Sequence, residues 1–211
     1  MCTLIQHTWI AWLLMPLWPI ACQQGFFWGS ILPDVDIYVG FVMILLGYEK
    51  QAIAFHRSLT HSVLGIAVTS LLLGHVATGP FVLGFLLGHI LHVLLDLVFW
   101  FWFVDLFWPL HYWFSWAAPI NLWSHLHQTF IEKTGLWLEL TDCVLFFVFF
   151  HFVQPSTVRD LVLLFQFAWG FIVMLLWPMM EKRYFFAMTH CCYMFIQLPA
   201  VVWVTNHHLF T

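Results

Sequence analysis

Long apolar stretches separated by short polar or proline-containing clusters form the main pattern of the chain. Five of them approach the length of about 20 residues that a helix needs to cross a lipid bilayer. The uncharged stretch 161–180 is the clearest of the five. The predicted spans cover residues 62–79, 81–104, 136–153, 161–180 and 184–205.

The first part of the chain has shorter apolar stretches. Residues 8–22 are interrupted by Pro16 and Pro19, which predicts a short or re-entrant helix. Residues 37–48 are too short to be a reliable span, and the polar residues 49–61 predict a loop. Together the pattern predicts an all-α, polytopic membrane helix bundle with roughly four to six membrane segments, some of them short or re-entrant.

The stretch 105–135 is amphipathic and rich in Trp and His, which is typical of a segment lying along the membrane interface. No internal repeat is visible, so residues 1–211 are predicted to form a single membrane-embedded helical domain. Residues 7–110 carry the polar motifs, and residues 111–211 combine the interfacial segment with C-terminal membrane helices.

The composition agrees with a membrane protein and excludes several other classes. The chain has 211 residues, of which 63% are hydrophobic, 20% aromatic and 8% charged. A soluble domain carries about 25% charged residues, so these are too few to cover a water-facing surface. An ordinary soluble domain, a disordered chain and a nucleic-acid binder with a basic face are therefore excluded. We expect membrane lipid as a partner.

The positive charges predict an orientation. Alternating the spans places five of the six Lys and Arg residues on one side of the membrane and only Arg159 on the other. An excess of Lys and Arg marks the cytoplasmic side. The side predicted to be cytoplasmic carries Lys50, Arg57, Lys133, Lys182 and Arg183.

The motif His92-Val-Leu-Leu-Asp96 places an imidazole and a carboxylate one turn apart on one helix face. A carboxylate inside a membrane helix is costly unless it is paired or ligated, so Asp96 needs a partner. A nitrogen and an oxygen ligand on one face can hold a divalent metal. A hydrogen bond that pins two helices fits this motif equally well. His89 also lies near this face.

Two further clusters precede this motif. In Pro33-Asp34-Val35-Asp36, two carboxylates follow a proline, which fits a loop that presents oxygen ligands or a helix cap with a solvated charge. His56 and His61 are five residues apart, so they meet only if a turn or cap follows His56.

Residues beside these histidines suggest further roles. Arg57 is a natural phosphate ligand because its guanidinium matches a phosphate group bidentately. Ser58 or Thr60 is predicted to cap the helix that begins near residue 62. A basic loop at the membrane edge would also account for this segment.

The predicted topology brings the three clusters to the cytoplasmic edge at similar depth, which favours a metal site. Either His7 or Glu139 could complete a site for two ions, and Asp105 is a weaker candidate. His111 has no carboxylate companion at helical spacing and is assigned a structural role. The candidate metal ligands are His7, Asp34, Asp36, His56, His61, His92, Asp96 and Glu139.

These motifs resemble those of a known family. The sequences LPDVD from Leu32, HRSLTHS from His56 and GHILHVLLD from Gly88 occur in the order and rough spacing of the YdjM-like family, and His7 matches an N-terminal histidine there. The stretch FWPL from Phe107 is similar to a later element of that family. Its members are LexA-regulated inner-membrane proteins regarded as metal-dependent hydrolases, with a distant similarity to zinc-dependent phospholipase C and single-strand nucleases.

The resemblance implies a bacterial inner-membrane enzyme with its site toward the cytoplasm. The implied reaction is hydrolysis of a phosphoester, either a small molecule or a lipid, by metal-activated water. One or two divalent ions are implied, zinc first and manganese or magnesium as alternatives. Asp34, His56 and Arg57 are the implied catalytic residues, with Arg57 on a phosphate oxygen. The alternative is a non-catalytic membrane protein whose His/Asp cluster is structural or conducts ions or protons.

Overall fold

The computed structural model describes residues 4–99 and 104–114, together with scattered positions between residues 141 and 203. The chain forms two compact units, one spanning His7–His127 and the other Gln128–Thr211, with Thr3–Gln6 assigned to the second. All the motifs up to residue 114 lie in the first unit. The prediction of a single domain stays a prediction.

Six α-helices make up the described part of this unit. Three short 3-10 segments lie between or after them, at Met15–Leu17, Leu32–Asp36 and Leu110–Tyr112. The regular elements of residues 4–114 that the structure describes are all helical, as predicted. The α-helices are α1 (Leu4–Leu14), α2 (Ile20–Gly29), α3 (Ile37–Leu45), α4 (Glu49–His56), α5 (Val63–Gly74) and α6 (Gly79–Phe99).

Two segments of the described residues are long and apolar enough to cross a membrane. They are Ile20–Leu45, with 26 residues, and Gly79–Val98, with 20 residues. Helix α5 has 12 residues and reaches only about 18 Å at 1.5 Å per residue, so it is shorter than the predicted span 62–79 and is not one of the two. Two is fewer than the four to six predicted segments. The three C-terminal predicted spans lie mostly outside the described residues.

The local structure corrects several details of the N-terminal prediction. The break at Pro16 and Pro19 is confirmed, because α1 ends before the first proline and α2 begins after the second. The expected loop at Asp34 and Asp36 is a 3-10 turn that joins α2 to α3 in one continuous helical run. The expected polar loop 49–61 instead begins with helix α4. The eight residues of α4 include no glycine or proline, so nothing in them breaks a helix.

The turn after α4 brings His56 and His61 together, and their ring centroids lie 5.0 Å apart. Ser62 caps helix α5 by accepting a hydrogen bond from the backbone N–H of Gly65. The predicted caps Ser58 and Thr60 were therefore wrong. Ser58 is the wrong choice because its hydroxyl donates to the carbonyl oxygen of Phe55.

Helices α2 and α6 pack with their backbones in direct contact. An added Cβ at Gly88 would lie 2.0 Å from the carbonyl oxygen of Phe26, and one at Gly29 would lie 2.1 Å from that of Phe85. Each helix carries two such glycines four residues apart, Gly25 and Gly29 on α2, Gly84 and Gly88 on α6. Small residues at this spacing let membrane helices approach closely and gain van der Waals contact.

Replacing Gly88 with Ala is expected to destabilise the fold, because the new methyl group would overlap the backbone of α2. Overpacking of this kind costs about 1–3 kcal/mol, so the thermal unfolding midpoint in detergent should fall. Gly74→Ala is the matched control, since an added Cβ there meets nothing within 4 Å. Equal midpoints for the two variants would contradict this account of the helix contact.

Candidate metal centre

The motifs predicted to meet do meet, inside the first unit. Four parts of the chain contribute side chains. Helix α1 supplies His7, and the 3-10 turn supplies Asp34 and Asp36. The end of α4 and the following turn supply His56, Arg57 and His61, and α6 supplies His92 and Asp96. His56 is the most exposed of them, with 13% of its side chain accessible. The fully buried members, at 0–2% exposure, are His7, Asp34, His61, His92 and Asp96.

Four of these side chains form the central cluster, defined as Asp34, His61, His92 and Asp96. Their potential ligand atoms all lie within 4.8 Å of one another. His61 Nε2 lies 3.5 Å from Asp34 Oδ1 and 3.1 Å from Asp96 Oδ2. His92 Nε2 lies 3.4 Å and 3.7 Å from the same two oxygens. The two Nε2 atoms are 3.0 Å apart.

Hydrogen bonds on the outer side of the cluster fix the tautomers of both imidazoles. The Nδ1–H of His92 donates to the carbonyl oxygen of Ser30 over 2.9 Å, since a carbonyl can only accept. The hydroxyl of Thr60 donates to Asp36, so it accepts from Nδ1–H of His61 at 3.0 Å. In their neutral forms both imidazoles therefore present an Nε2 lone pair to the centre.

The central cluster fits a divalent metal ion. Ligands at 2.0–2.2 Å in tetrahedral geometry are separated by about 3.3–3.6 Å, and the five separations given above run from 3.0 to 3.7 Å. Two imidazole lone pairs and two buried carboxylates repel one another unless a cation lies among them. Outer hydrogen bonds from a ligand's second nitrogen are also a regular feature of histidine–metal sites.

Without a metal ion, a proton on His61 can offset part of the negative charge of the central cluster. Burial disfavours the charged imidazolium, but the hydrogen bonds to Asp34 and Asp96 outweigh burial and raise the pKa of His61 to about 9. A metal ion that binds at neutral pH therefore displaces a proton from this imidazole.

Arg57 lies against the central cluster. Its Nη1 donates to Asp96 Oδ2 in a buried ion pair. Asp34 and Asp96 together carry more negative charge than one guanidinium offsets, which leaves the centre receptive to a cation. The main-chain carbonyl of Arg57 also accepts from the backbone N–H of Asp105 over 2.8 Å.

A second potential ligand group consists of Asp36, His56 and His61. Here the carboxylate is already engaged, because Asp36 Oδ1 lies 2.5 Å from His56 Nδ1 and Oδ2 accepts from Thr60. His56 Nε2 faces the central cluster at 3.8 Å from Asp34 Oδ1. Asp36 thus orients His56 and, through Thr60, His61.

His7 faces the carboxylate oxygens of Asp34 and Asp96 that point away from His61 and His92. Its Nε2 lies 3.4 Å from Asp96 Oδ1 and 4.0 Å from Asp34 Oδ2. Its ring stacks on that of His92, with centroids 3.8 Å apart. All the predicted ligands thus meet around one centre except Glu139, which lies outside the described residues.

Other candidates lie outside this centre. His89 donates from Nε2 to the carbonyl oxygen of Thr60 at 2.7 Å, and this helix-to-loop contact occupies it. Asp105 pairs instead with His111, whose Nδ1 lies 2.6 Å from Oδ2. Sequence reasoning missed this pair because the two residues are not at helical spacing. It also missed the outer partners Ser30 and Thr60, which no sequence motif marks.

The described residues thus form a helical unit with two segments long and apolar enough to cross a membrane and a buried His/Asp group that could hold a metal ion. The family model described as "YdjM inner membrane protein" matches residues 5–158. The chain belongs to the YdjM inner membrane protein family. No curated protein and no solved structure matches the chain significantly.

Thr60→Val is expected to weaken metal binding without removing a ligand. The change removes the oxygen that accepts from His61 Nδ1–H, and loss of such an outer partner typically costs 10–100-fold in metal affinity, so we expect a loss of about that size. Competition with a zinc chelator would measure it on the purified protein. Thr69→Val is the control, because Thr69 bonds to its own helix and to His89. Equal affinities would contradict the orienting role.

Proposed function

We propose that the chain is a membrane-bound, metal-dependent hydrolase that acts on a phosphoester, and that the phosphoester is carried by a lipid. The observation that carries the proposal is the convergence of two carboxylates with two imidazoles whose Nδ1–H groups donate outward, which leaves both Nε2 lone pairs facing inward. Two nitrogen and two oxygen ligands suit zinc best, with manganese and magnesium as alternatives.

The central cluster would hold the ion. When bound, a divalent ion lowers the pKa of water and neutralises developing charge on a phosphoryl oxygen. Ser30 and Thr60 keep His92 and His61 in the tautomer that can ligate. Proton transfer and anion binding are proposed for the polar side chains beside the cluster.

His56 is the proposed proton carrier. Its Nδ1 is held by Asp36, its Nε2 faces the cluster, and its ring is the most exposed of those that line the centre. That position lets Nε2 accept a proton from water and return it to the leaving group. Asp36 keeps the ring oriented through both steps, which is the role of the carboxylate in a His–Asp pair.

Arg57 is the proposed anion ligand. Its guanidinium lies on Asp96 at the edge of the cluster and supplies a positive charge. A phosphoryl oxygen next to the ion would meet this charge. Asp34 belongs to the same group of proposed catalytic residues, because it would hold the ion and its Oδ1 faces His56 Nε2.

The location of the cluster supports a lipid substrate. Asp96 lies in the last turn of the apolar segment Gly79–Val98, so this side of the cluster is close to one end of a candidate span. Phosphate groups of lipids lie at that level of a bilayer. The proposal puts this end on the cytoplasmic side, which the charge count predicts, in the inner membrane that the family is named for.

His92→Ala is expected to remove both the metal and the activity, because it deletes one of four ligands. Elemental mass spectrometry of the detergent-purified protein measures zinc and manganese, and phosphatidic acid and a chromogenic phosphodiester serve as substrates. His75→Ala is the control, since His75 is an exposed residue after α5. A protein that takes up no metal on reconstitution would overturn the centre. A metal-loaded protein that hydrolyses no phosphoester would overturn the reaction.

The orientation is testable by labelling in a variant whose native cysteines are replaced. In intact spheroplasts, a membrane-impermeant maleimide should label Arg159→Cys and leave Lys50→Cys unlabelled until the membrane is permeabilised, because the charge count places them on opposite sides. The reverse pattern would place the site outside the cytoplasm.

A further inference from the structure

A loop that follows α6 in the chain lies against the turn that carries Arg57. We call it the Asp105 loop and define it as residues 104–112. The backbone N–H of Asp105 donates to the carbonyl oxygen of Arg57 over 2.8 Å, and the carbonyl oxygen of Leu106 accepts from the backbone N–H of Val63 over 2.9 Å. Arg57 directly follows α4 and Val63 begins α5. Two neighbouring residues of the loop therefore hold both ends of the turn between these helices.

The position of Arg57 in the chain explains why such an anchor matters. Helix α4 has eight residues, and isolated helices shorter than about 12–15 residues are marginal in water. The last carbonyl groups of a helix also have no partner within it. Asp105 supplies a partner for the carbonyl of Arg57, while Asp96 holds the guanidinium. The main chain and the side chain of Arg57 are thus fixed by different residues.

A side-chain pair closes the Asp105 loop. Asp105 Oδ2 lies 2.6 Å from His111 Nδ1, and the two side chains are 10% and 20% exposed. The backbone N–H of Trp108 donates to the carbonyl oxygen of Asp105 over 3.0 Å, which turns the loop back on itself. His111 is thereby paired with the residue whose backbone N–H holds Arg57.

This pair couples the conformation of the loop to Arg57. Asp105 is 7% exposed, and burying a carboxylate without a partner is costly. If the imidazole of His111 is removed, the carboxylate gains hydration only when the loop moves away from the turn. That movement breaks the hydrogen bond between Asp105 and the carbonyl of Arg57.

We propose that the Asp105–His111 pair positions Arg57 to bind a phosphate group, and that it does so without taking part in metal binding. Asp105 and His111 are positioning residues in this proposal, because they act on the anion only through Arg57. The inference rests on the anion role of Arg57 in the proposed function.

The metal ligand in the same turn is held by other contacts. The Nδ1–H of His61 donates to the hydroxyl of Thr60, and this hydroxyl donates to Asp36. The carbonyl of Thr60 accepts from His89 on α6 over 2.7 Å. Loosening the Asp105 loop should therefore weaken binding of the anion and leave the metal ion in place.

The test is a double-mutant cycle on the full chain, purified in detergent, loaded with zinc and freed of excess metal. Calorimetry measures the affinity for inorganic phosphate. Arg57→Gln should lower it about tenfold or more, because a charged hydrogen-bond donor is lost. His111→Ala should lower it about 3–10-fold, as expected for coupled residues. The double variant should lose no more than Arg57→Gln, since the pair acts through Arg57.

Two further variants serve as controls. His111→Asn keeps an N–H group near the position of Nδ1 and should bind phosphate like the unaltered protein. His75→Ala removes an exposed imidazole after α5 and should also leave the affinity unchanged. Elemental mass spectrometry should find the same zinc content in both His111 variants as in the unaltered protein.

Several results would overturn the positioning role. They are an unchanged phosphate affinity in folded His111→Ala, a loss that adds to that of Arg57→Gln, and loss of zinc from folded His111→Ala. Weakened phosphate binding by folded His111→Asn would do the same, and this variant decides the matter if the alanine variant does not fold.

The source of the phosphate group and the reaction are tested separately. Phosphatidic acid in mixed micelles should show the same fold-changes as inorganic phosphate, and a loss confined to the lipid would overturn an action through Arg57. If the unaltered protein binds phosphate and the cycle behaves as expected but no phosphoester is hydrolysed, the proposed reaction fails and the positioning role stands. No phosphate binding by the zinc-loaded unaltered protein would overturn both the anion role of Arg57 and this inference.

Discussion

The backbone contact between α2 and α6 is the constraint on which the geometry of the centre depends. In lipid, helix association gains little from the hydrophobic effect and relies on close packing. Glycines on both helices allow this approach, and the Ser30 hydroxyl lies 3.3 Å from the carbonyl oxygen of Gly88 across the contact. The same contact places the carbonyl of Ser30 on His92. A wider separation of the helices would release the ring that this bond orients.

The central cluster adds a second constraint, because its charges are buried. Asp34 and Asp96 are 2% and 1% exposed, and a buried carboxylate without a partner is strongly destabilising. Arg57 offsets part of the charge of Asp96. A proton on His61, whose pKa is raised to about 9, completes the balance at neutral pH when no metal is bound, and a metal ion would take over that role by displacing the proton. The helices hold the ligands in place, and the bound proton or metal ion would make their approach favourable.

Local spacing explains which parts of the site could be predicted. His92 and Asp96 share a face wherever the sequence is helical, and the two aspartates after Pro33 are only two residues apart along the chain. The contacts of these groups with Ser30, Thr60 and Arg57 depend on tertiary packing instead. Helix α4 was missed because polar residues suggested a loop, although nothing in them breaks a helix. The length of α5 was overestimated because apolar character continues past Gly74, where the helix ends.

The direction of the hydrogen bonds argues against a cluster that only pins helices. A structural pin needs donors as well as acceptors between its groups. Here Nδ1–H of His92 donates outward to Ser30 and Nδ1–H of His61 donates outward to Thr60. Two Nε2 atoms and two carboxylates are left facing one another, and the donors among them, a proton on His61 and the Arg57 guanidinium on Asp96, can join only part of that set. A metal ion accepts all four lone pairs at once, which is why this arrangement favours a metal centre over a hydrogen-bonded pin.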